Sequence, residues 1–174
     1  MRKKIISVVC FLLAVFVSHG IAADSAPFFF LQLSDPQFGF IDNNKSISAE
    51  TEAMNKAVTA INQLKPPFVV ITGDFVNNSK SKEQIAAYKS MIAQIDSSVK
   101  VYMIPGNHDI GKVSRASIDN YKKNYGETHF SFRYGDCAFI GIDSNIIKEE
   151  DKEREEVQFK SVSYTHLRAH ETRR

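Results

Sequence analysis

Three apolar runs in the sequence each end in side chains that can bind a metal ion. These side chains are Asp35 and Gln37 after the first run, Asp74 after the second, and Asn107, His108 and Asp109 after the third. Carboxylate and amide oxygens suit Mn²⁺, Mg²⁺ and Fe²⁺, and an imidazole extends the range to Zn²⁺. A carboxylate on the middle strand of three can bridge two such ions at roughly 3.5–4 Å, an arrangement used for in-line attack on phosphorus. The pattern therefore indicates chemistry at two divalent metal ions.

Each motif also has an ordinary structural explanation. Asp35-Pro36 is a common way to open a turn, and Gly73-Asp74 after a strand is equally common. The segment Gly106–Asp109 is more informative, because four polar or turn residues that include His seldom end a buried strand by accident. All three motifs occur at the ends of successive strands, which favours one shared site over three unrelated turns.

The apolar runs before the motifs are predicted to be β-strands. They span residues 28–33, 68–71 and 101–104. Runs of this length that are rich in aromatic and β-branched residues, and that end at Gly or Pro, are typical of strands buried on both faces.

Helical patterns lie between these strands. Apolar residues recur every three or four positions over 53–64, before Pro66, and again over 85–95, where Ser81 and Gln84 predict a capping box at the start. Alternating strands and helices imply a parallel sheet with right-handed crossovers. Ligands bind such sheets at the carboxyl ends of the strands, which is where all three motifs lie.

The pattern changes after the third motif. A weaker helix is predicted over 114–124, and strands at 128–134 and 137–142 flank Gly135-Asp136 as a β-hairpin. Residues 148–156 are dominated by charge and are predicted to be a solvated helix face. The predicted fold is α/β: a β-α-β-α-β sheet with flanking helices, followed by a hairpin.

Residues 1–23 are typical of an export signal. Residues 2–4 are basic, residues 5–17 form a run of 13 mostly apolar residues, and small residues before Asp24 offer a cleavage site. Such a run is too short to cross roughly 30 Å of hydrocarbon, which needs about 20 residues. We expect an exported protein, periplasmic or extracellular, with no stable membrane anchor after cleavage.

Charge and composition exclude several other classes. The whole chain has a formal charge of +2, but without residues 1–23 it has 19 Lys and Arg against 20 Asp and Glu. That balance argues against a nucleic-acid binder that relies on bulk positive charge. A nucleotide-binding α/β domain is also disfavoured, because no Gly-x-Gly-x-x-Gly follows the first strand and no Gly-Lys-Ser/Thr occurs. Cys137 would be the single cysteine after cleavage, so no intrachain disulfide is expected.

The motifs together resemble those of the calcineurin-like metallophosphoesterases. Asp35-x-Gln37, Gly73-Asp74 and Gly106–Asp109 are similar to the first three signature blocks of that family, and residues 132–144 are similar to the hairpin that follows them. The sequence at 34–39 resembles one branch, the calcineurin-like phosphoesterase-domain-containing proteins, which are described as Ser/Thr phosphatases. The resemblance covers about residues 28–160.

The resemblance implies a role for each site residue. The metal ligands would be Asp35 and Gln37 for one ion, Asp74 for both ions, and Asn107 for the second. His108 would be the leaving-group acid or charge stabiliser, oriented by Asp109, and the nucleophile would be a metal-bound hydroxide. The two divalent ions would be Mn, Fe, Zn or Mg. Most members have His at position 37, and Gln there would favour harder ions.

The resemblance leaves the substrate and one alternative function open. The substrate would be a phosphorylated small molecule or a phosphoprotein, as a phosphate monoester or diester. The alternative is a non-catalytic secreted binding module that keeps the fold. Such a module is expected to lose Asp74, Asn107 or His108, and all three are present.

The family pattern continues with a His on a later strand and a Gly-His-x-His block, which this chain lacks. His166 and His170 do not replace them, because their spacing differs and no Gly precedes them in the required place. Residues 161–174 resemble a translated sequencing adapter, so residues 24–160 are interpreted as the N-terminal part of the domain. Without the remaining ligands, the chain is expected to be poorly stable, to bind metal weakly, and to hydrolyse substrate slowly or not at all.

Overall fold

A computed structural model describes residues 26–171 of the chain, and the side chains of residues 26–163. The predicted export signal lies outside the described residues, and so do the side chains of His166 and His170. In chain order the described elements are β1 (Leu31–Ser34), α1 (Ser48–Leu64), β2 (Phe68–Thr72), α2 (Lys82–Ile92), β3 (Lys100–Ile104), α3 (Asn107–Ile110), α4 (Arg115–Tyr125), β4 (Phe130–Tyr134), β5 (Cys137–Gly141), α5 (Ser144–Lys148) and α6 (Lys152–Glu171). Within this part of the chain, no helix is both long enough and apolar enough to cross a membrane.

Strands β1, β2 and β3 form a parallel sheet with β2 in the centre. Leu31 of β1 pairs with Val69 of β2, and Val69 pairs in turn with Val101 of β3. Strands β4 and β5 form a separate antiparallel hairpin around Gly135-Asp136. The predicted α/β class is therefore confirmed, and so is the order of strands and helices.

The expectation that all three strands are buried on both faces is correct for β2 and wrong for β1 and β3. Residues Phe68–Ile71 of β2 are buried, whereas β3 has no fully buried residue. In β1, Leu31 and Leu33 are half-buried, and Gln32 and Ser34 are exposed. The reason is position, because β2 has a neighbour on each side and the other two strands are the edges of the sheet.

Strand β1 is also shorter at its start than the predicted run from residue 28. Pro66 and Pro67 precede β2 and lack the backbone N–H that a longer ladder would need. Phe28 and Phe30 lie outside the strand and pack against the Phe68 ring, with centroids 6.3 and 5.0 Å away. The aromatic part of the run therefore contributes packing in place of strand pairing.

One face of the sheet packs against helices α1 and α2. The core on this face contains Val69 and Ile71 of β2, Met54, Val58 and Ile61 of α1, and Tyr88 of α2. The helical periodicity predicted this stripe for both helices, but Leu64, the last apolar residue of the pattern in α1, is exposed. Burial of these side chains holds the helices against the strands, and it is the main force that fixes the sheet edge where the motifs lie.

The hairpin packs on the opposite face through aromatic rings. The Phe68 ring lies 5.0 Å from that of Phe132 in β4 and 4.8 Å from that of Phe139 in β5. Tyr102 of β3 stacks on Phe132 at 3.8 Å. Aromatic contacts of this kind add to the energy of area burial. The two faces of the sheet are therefore covered by different layers, helices on one and the hairpin on the other.

The charged segment at 148–156 is not one solvated helix, because α5 ends at Lys148 and α6 begins at Lys152. Further along α6, Gln158 is buried, and its Oε1 accepts a hydrogen bond from the Asp143 backbone N–H at 2.7 Å. Helix α6 continues across residue 160, so the predicted boundary before 161–174 lies inside a helix. That boundary stays a prediction.

Truncation of the core side of α1 tests this packing. Ile61 is 1% exposed, so Ile61→Ala leaves a cavity, and we expect the free energy of unfolding to fall by about 2–5 kcal/mol. Leu64→Ala is the matched control on the same helix, because Leu64 is 54% exposed and its loss is expected to cost less than about 0.5 kcal/mol. Urea unfolding followed by circular dichroism measures both, and equal losses would contradict the assigned faces of α1.

Candidate metal centre at the carboxyl edge of the sheet

Backbone hydrogen bonds tie together the three loops that carry the motifs. The N–H of Gln37, after β1, donates to the carbonyl oxygen of Asp74, after β2, at 2.8 Å. The N–H of Gly73 donates to the carbonyl oxygen of Ile104, at the end of β3, at 2.9 Å. The predicted site residues therefore lie at one edge of the sheet, and their relative positions are set by the main chain.

Three of the predicted metal ligands have backbone conformations that side chains rarely adopt. The φ angles of Asp35, Gln37 and Asp74 are +50°, +33° and +43°. Residues other than glycine seldom occupy this left-handed region, and such conformations cluster at binding and active sites, where surrounding contacts hold them. The hydrogen bonds between the loops supply those contacts here.

Two glycines let the second and third loops approach each other closely. A Cβ added to Gly106 would lie 2.1 Å from Oδ1 of Asp74, so a side chain at position 106 would displace this carboxylate. A Cβ added to Gly73 would lie 3.1 Å from the Cα of Gly106, and the φ of Gly73 is +67°. Space requires glycine at position 106, whereas at position 73 a tight contact and a positive φ both favour it.

The environments of the predicted ligands differ. Asp74 is 8% exposed, and its Oδ1 accepts a hydrogen bond from the His108 backbone N–H at 2.8 Å. Asp35 is exposed, and its carboxylate accepts a hydrogen bond from the Ser34 hydroxyl. Asn107 is exposed at the first position of α3. The carboxylate on the middle strand is therefore the buried one, and the outer ligands face solvent.

A series of side-chain amides extends from Gln37. Its Nε2 donates to Oδ1 of Asn77 at 3.4 Å, and Nδ2 of Asn77 donates to Oδ1 of Asn44 at 2.9 Å. Gln84 also donates to Oδ1 of Asn44, at 2.8 Å, and its Oε1 accepts from the Asn78 backbone N–H at 2.8 Å. The side chain of Gln84 therefore does not return to Ser81, and the predicted capping box forms only through the Ser81 hydroxyl.

The His108 ring is held by the main chain. Its Nδ1 lies 2.9 Å from the carbonyl oxygen of Asn77. A carbonyl oxygen only accepts hydrogen bonds, so Nδ1 carries a proton and donates. This contact assigns the tautomer of the neutral ring, with the proton on Nδ1 and with Nε2 as an acceptor.

The expected contact between Asp109 and the His108 ring is wrong. Asp109 is 1% exposed, and its two carboxylate oxygens accept from three backbone N–H groups: Phe75 at 2.8 Å, Val76 at 3.3 Å and Gly106 at 2.9 Å. Burial raises the pKa of Asp109 to about 7, although these three hydrogen bonds lower it, and the nearby Asp74 adds to the rise. Asp109 therefore joins the loop after β2 to the turn after β3, and the Asn77 carbonyl orients the imidazole.

The donor set suits divalent cations, although it contains few charged groups. Among residues 26–163, no three His, Cys, Asp or Glu side chains lie close enough to hold a metal ion. The oxygen donors at the edge are two carboxylates and two amides, and hard divalent cations accept both kinds. One contact supports the fit: Gln37 gives its amide nitrogen to Asn77, which leaves Oε1, the atom that a cation requires, without a hydrogen bond in the described structure.

A cleft of about 450 Å³ opens beside Asp35 and Gln37. Its lining includes Phe40, Ile41 and Met54, which come from the loop after β1 and from α1. The carboxylate and the amide therefore border an apolar surface large enough for part of a small molecule.

Residues 30–164 match the family described as calcineurin-like phosphoesterase. The chain belongs to this family. The resemblance drawn from the three motifs is therefore confirmed.

Curated proteins to which the chain is similar are covered by it only in part. The human Ser/Thr-protein phosphatase CPPED1 is 30% identical in an alignment of 156 residues that covers 80% of this chain and 50% of that protein. The bovine CPPED1 is 31% identical in an alignment of 142 residues that covers 72% of this chain and 45% of that protein. A probable glycerophosphodiester phosphodiesterase GpdQ of Arcobacter nitrofigilis is 31% identical over 99 residues, 55% of this chain and 35% of that protein. The chain thus spans about half the length of the CPPED1 proteins.

The chain is also similar to solved structures. A dimetal phosphatase from Danio rerio superposes with a TM-score of 0.46 at 18% identity, over 62% of this chain and 41% of that chain.

Sequence reasoning missed the amide residues around the calcineurin-like phosphoesterase motifs. Asn77 lies three residues after Asp74, but nothing in its spacing indicates that it contacts Gln37 and His108. Asn44 lies in an Asp-Asn-Asn turn, and Gln84 fits a capping box. Their contacts depend on loops that meet only in the folded chain.

Because Gly106 lies close to Asp74, we expect that position 106 tolerates no side chain. Gly106→Ala should lower the free energy of unfolding by about 1–3 kcal/mol, the range for overpacking. Gly111→Ala is the control, because its Cβ meets nothing within 4 Å and only its φ of +65° opposes the change, by about 1 kcal/mol. Thermal unfolding measures both variants. An Ala at 106 that costs less than one at 111 would contradict the packing.

The role of Asp109 as a carboxylate that joins two loops predicts the effect of Asp109→Asn. The variant replaces one accepting oxygen by a donor, so a buried backbone N–H loses its partner, at a cost of about 1–3 kcal/mol in unfolding free energy. Asp119→Asn on α4 is the control, and it is expected to change the free energy of unfolding by less than about 0.5 kcal/mol. Asp119 is exposed, and its ion pair with Arg115 is long, with Oδ2 3.8 Å from Nε of Arg115.

The same comparison has a pH dependence. The pKa of Asp109 is about 7 in the folded chain and near 3.8 when unfolded, so the folded chain binds this proton more tightly. The proton on Asp109 therefore stabilises the folded chain fully below about pH 4, and this stabilisation is lost as the pH rises to about 7. In metal-free buffer, the stability of the wild type relative to Asp109→Asn should fall over that interval. Parallel pH profiles would contradict the raised pKa.

Proposed function

We propose that the chain is the metal-binding part of a phosphoesterase that hydrolyses a phosphate monoester or diester. The observation that carries the proposal is the edge of the sheet, where Asp35, Gln37, Asp74 and His108 come together on loops tied by main-chain hydrogen bonds. Membership of the calcineurin-like phosphoesterase family supports the reaction class.

The ligand roles follow from position in the sheet. Asp74, on the central strand, would contact two divalent ions, with Asp35 and Gln37 on one side of it and Asn107 on the other. The ions would be Mn, Fe, Zn or Mg, and when bound they would supply Lewis-acid activation of the phosphoryl group and of the attacking water. The chain's own contribution is to fix these oxygens before an ion binds.

His108 is suited to proton transfer at the leaving group. The Asn77 carbonyl oxygen holds the Nδ1 proton at 2.9 Å, so the ring cannot rotate freely and Nε2 is the nitrogen that gains or loses a proton. In the protonated form, Nε2 donates to the leaving oxygen or stabilises charge on the phosphoryl group. Asp74 accepts from the backbone of the same residue, which couples the position of the ring to that of the central carboxylate.

The substrate proposal is a phosphorylated small molecule or a phosphoprotein. The relatives whose names specify a substrate class include Ser/Thr-protein phosphatases and a probable glycerophosphodiester phosphodiesterase, so both kinds of phosphate ester occur among them. In this chain the cleft beside Gln37 would receive an apolar part of the substrate next to the phosphoryl group.

We also propose that the protein is exported, to a periplasm or outside the cell. The support is the sequence of residues 1–23, with basic residues first, an apolar run next and small residues before Asp24.

A metal titration combined with hydrolysis tests the function. Asp74→Asn keeps an oxygen for the His108 N–H but removes the charge, so we expect its Mn²⁺ affinity to fall at least tenfold. Asp42→Asn is the matched control, because Asp42 is an exposed carboxylate in the turn after β1 and is expected to leave the affinity unchanged. Calorimetry gives the affinity, and p-nitrophenyl phosphate and its bis ester report monoester and diester hydrolysis.

Hydrolysis distinguishes the two candidate functions. Hydrolysis that requires Mn²⁺, stops with EDTA and is lost in Asp74→Asn supports the phosphoesterase over the non-catalytic binding module. Mn²⁺ binding that depends on Asp74 without hydrolysis of either ester supports the metal site alone, because slow or absent hydrolysis is expected of this chain under both functions. Mn²⁺ affinity that is the same in all three proteins would overturn the proposed site.

A further inference from the structure

A glutamine that binds a metal ion must present its amide oxygen, although the NH₂ end of the amide has nearly the same size and shape. The two ends of the Gln37 amide differ only in whether they donate or accept hydrogen bonds. Its orientation is therefore decided by whatever group faces it. In this structure that group is Oδ1 of Asn77, 3.4 Å from Nε2 of Gln37.

The orientation can be traced to one backbone group. The N–H of Asn78 can only donate, so the atom of Gln84 that faces it, at 2.8 Å, must be Oε1. The Nε2 of Gln84 is then directed to Asn44, whose amide must offer its oxygen, at 2.8 Å. Gln84 is 3% exposed, so this first step is protected from water.

The remaining steps follow in the same way. The Oδ1 of Asn44 accepts a second hydrogen bond, at 2.9 Å, so the atom of Asn77 that faces it must be Nδ2. The other end of the Asn77 amide is then the oxygen, and Gln37 must present its nitrogen to it. What is left for a cation is Oε1 of Gln37.

We infer that Gln84, Asn44 and Asn77 are positioning residues that set the orientation of the Gln37 amide, so that its oxygen is presented to the metal site. None of the three is a metal ligand in the proposed function. The inference rests on that function only in assuming that a metal ion binds at Gln37. At 3.4 Å, the contact between Asn77 and Gln37 is the longest in this series of side-chain amides.

The main chain holds the amide chain in register. The N–H of Asn77 donates to the carbonyl oxygen of Phe38 at 3.0 Å, and the N–H of Asn44 donates to that of Gly39 at 2.7 Å. Gln84 fills the space above Gly39, where an added Cβ would lie 2.2 Å from its Nε2. The three amides therefore have little freedom to move apart when one of them is reversed.

A pair of variants with the same charge change tests the inference. Gln84→Glu, studied at pH 8 with its carboxylate ionised, replaces the donor that faces Asn44 by an acceptor. Asn44 then turns its nitrogen to the carboxylate, Asn77 reverses in response, and Gln37 turns its nitrogen toward the metal. Asn44→Asp also adds one negative charge, but it keeps both hydrogen bonds that Oδ1 of Asn44 accepts.

The two variants have opposite expected effects. In Gln84→Glu, the side-chain ¹H–¹⁵N resonances of Gln37 should move in the metal-free protein, and the Mn²⁺ affinity should fall about tenfold. In Asn44→Asp, those resonances should stay in place and the affinity should stay equal or rise. An added negative charge by itself attracts a cation, so a loss of affinity in Gln84→Glu has the sign opposite to a simple electrostatic effect.

Each result decides the matter. Gln37 resonances that are unchanged in Gln84→Glu overturn the inference, and so do moved resonances with unchanged or higher Mn²⁺ affinity. If Gln84→Glu does not fold, Asn77→Ala replaces it, because it removes the acceptor from Gln37 while the main-chain contacts of residue 77 remain. It should move the Gln37 resonances and lower the affinity, and the absence of either effect overturns the inference. If the wild type binds no Mn²⁺, the proposed function fails. The Gln37 side-chain resonances of the metal-free protein then test only whether Gln84, Asn44 and Asn77 set the orientation of the Gln37 amide.

Discussion

The buried carboxylate of Asp109 is the contact on which the rest of the site depends. It accepts backbone N–H groups from Phe75 and Val76 on one loop and from Gly106 on the next. Those two loops carry Asp74 and His108, so a single side chain fixes the spacing of the central carboxylate and the imidazole. Burial of an ionised carboxylate is costly, and the three backbone donors offset part of that cost. The same arrangement explains why position 106 has no room for a Cβ.

The strained backbone at the ligands follows from this joining of loops. Asp35, Gln37 and Asp74 all have positive φ, a conformation that costs roughly 1–3 kcal/mol per residue when nothing else requires it. Parallel strands end at one edge, but their chains must turn away from each other toward their helices. Sharp turns immediately after the strands keep the side chains at the edge before the chain leaves it. The core formed by α1 and α2 on β2 provides the stability that such strain consumes.

The sequence was sufficient for the parts of the molecule that depend on local pattern. Periodicity predicted α1, α2 and α4, and three apolar runs with polar ends predicted the sheet and the edge where Asp35, Asp74 and Asn107 lie. It was insufficient where burial depends on neighbours, as for β1, whose outward residues are exposed because it is an edge strand. It also failed for Asp109, since the residue next to His108 in sequence contacts the backbone of another loop. Contacts between loops have no period and leave no local signal.

The amides show why such contacts matter for chemistry. A carboxylate presents oxygen whichever way it turns, so Asp35 and Asp74 need only to be in place. An amide presents its oxygen in only one of two orientations, so the orientation of the Gln37 amide must be set by neighbouring groups. In this fold the orientation of Gln37 is set by the backbone N–H of Asn78, which can only donate. Successive hydrogen bonds through Gln84, Asn44 and Asn77 connect that N–H to Gln37. A site that uses amides among its oxygen donors is therefore specified as much by the residues behind the ligands as by the ligands themselves.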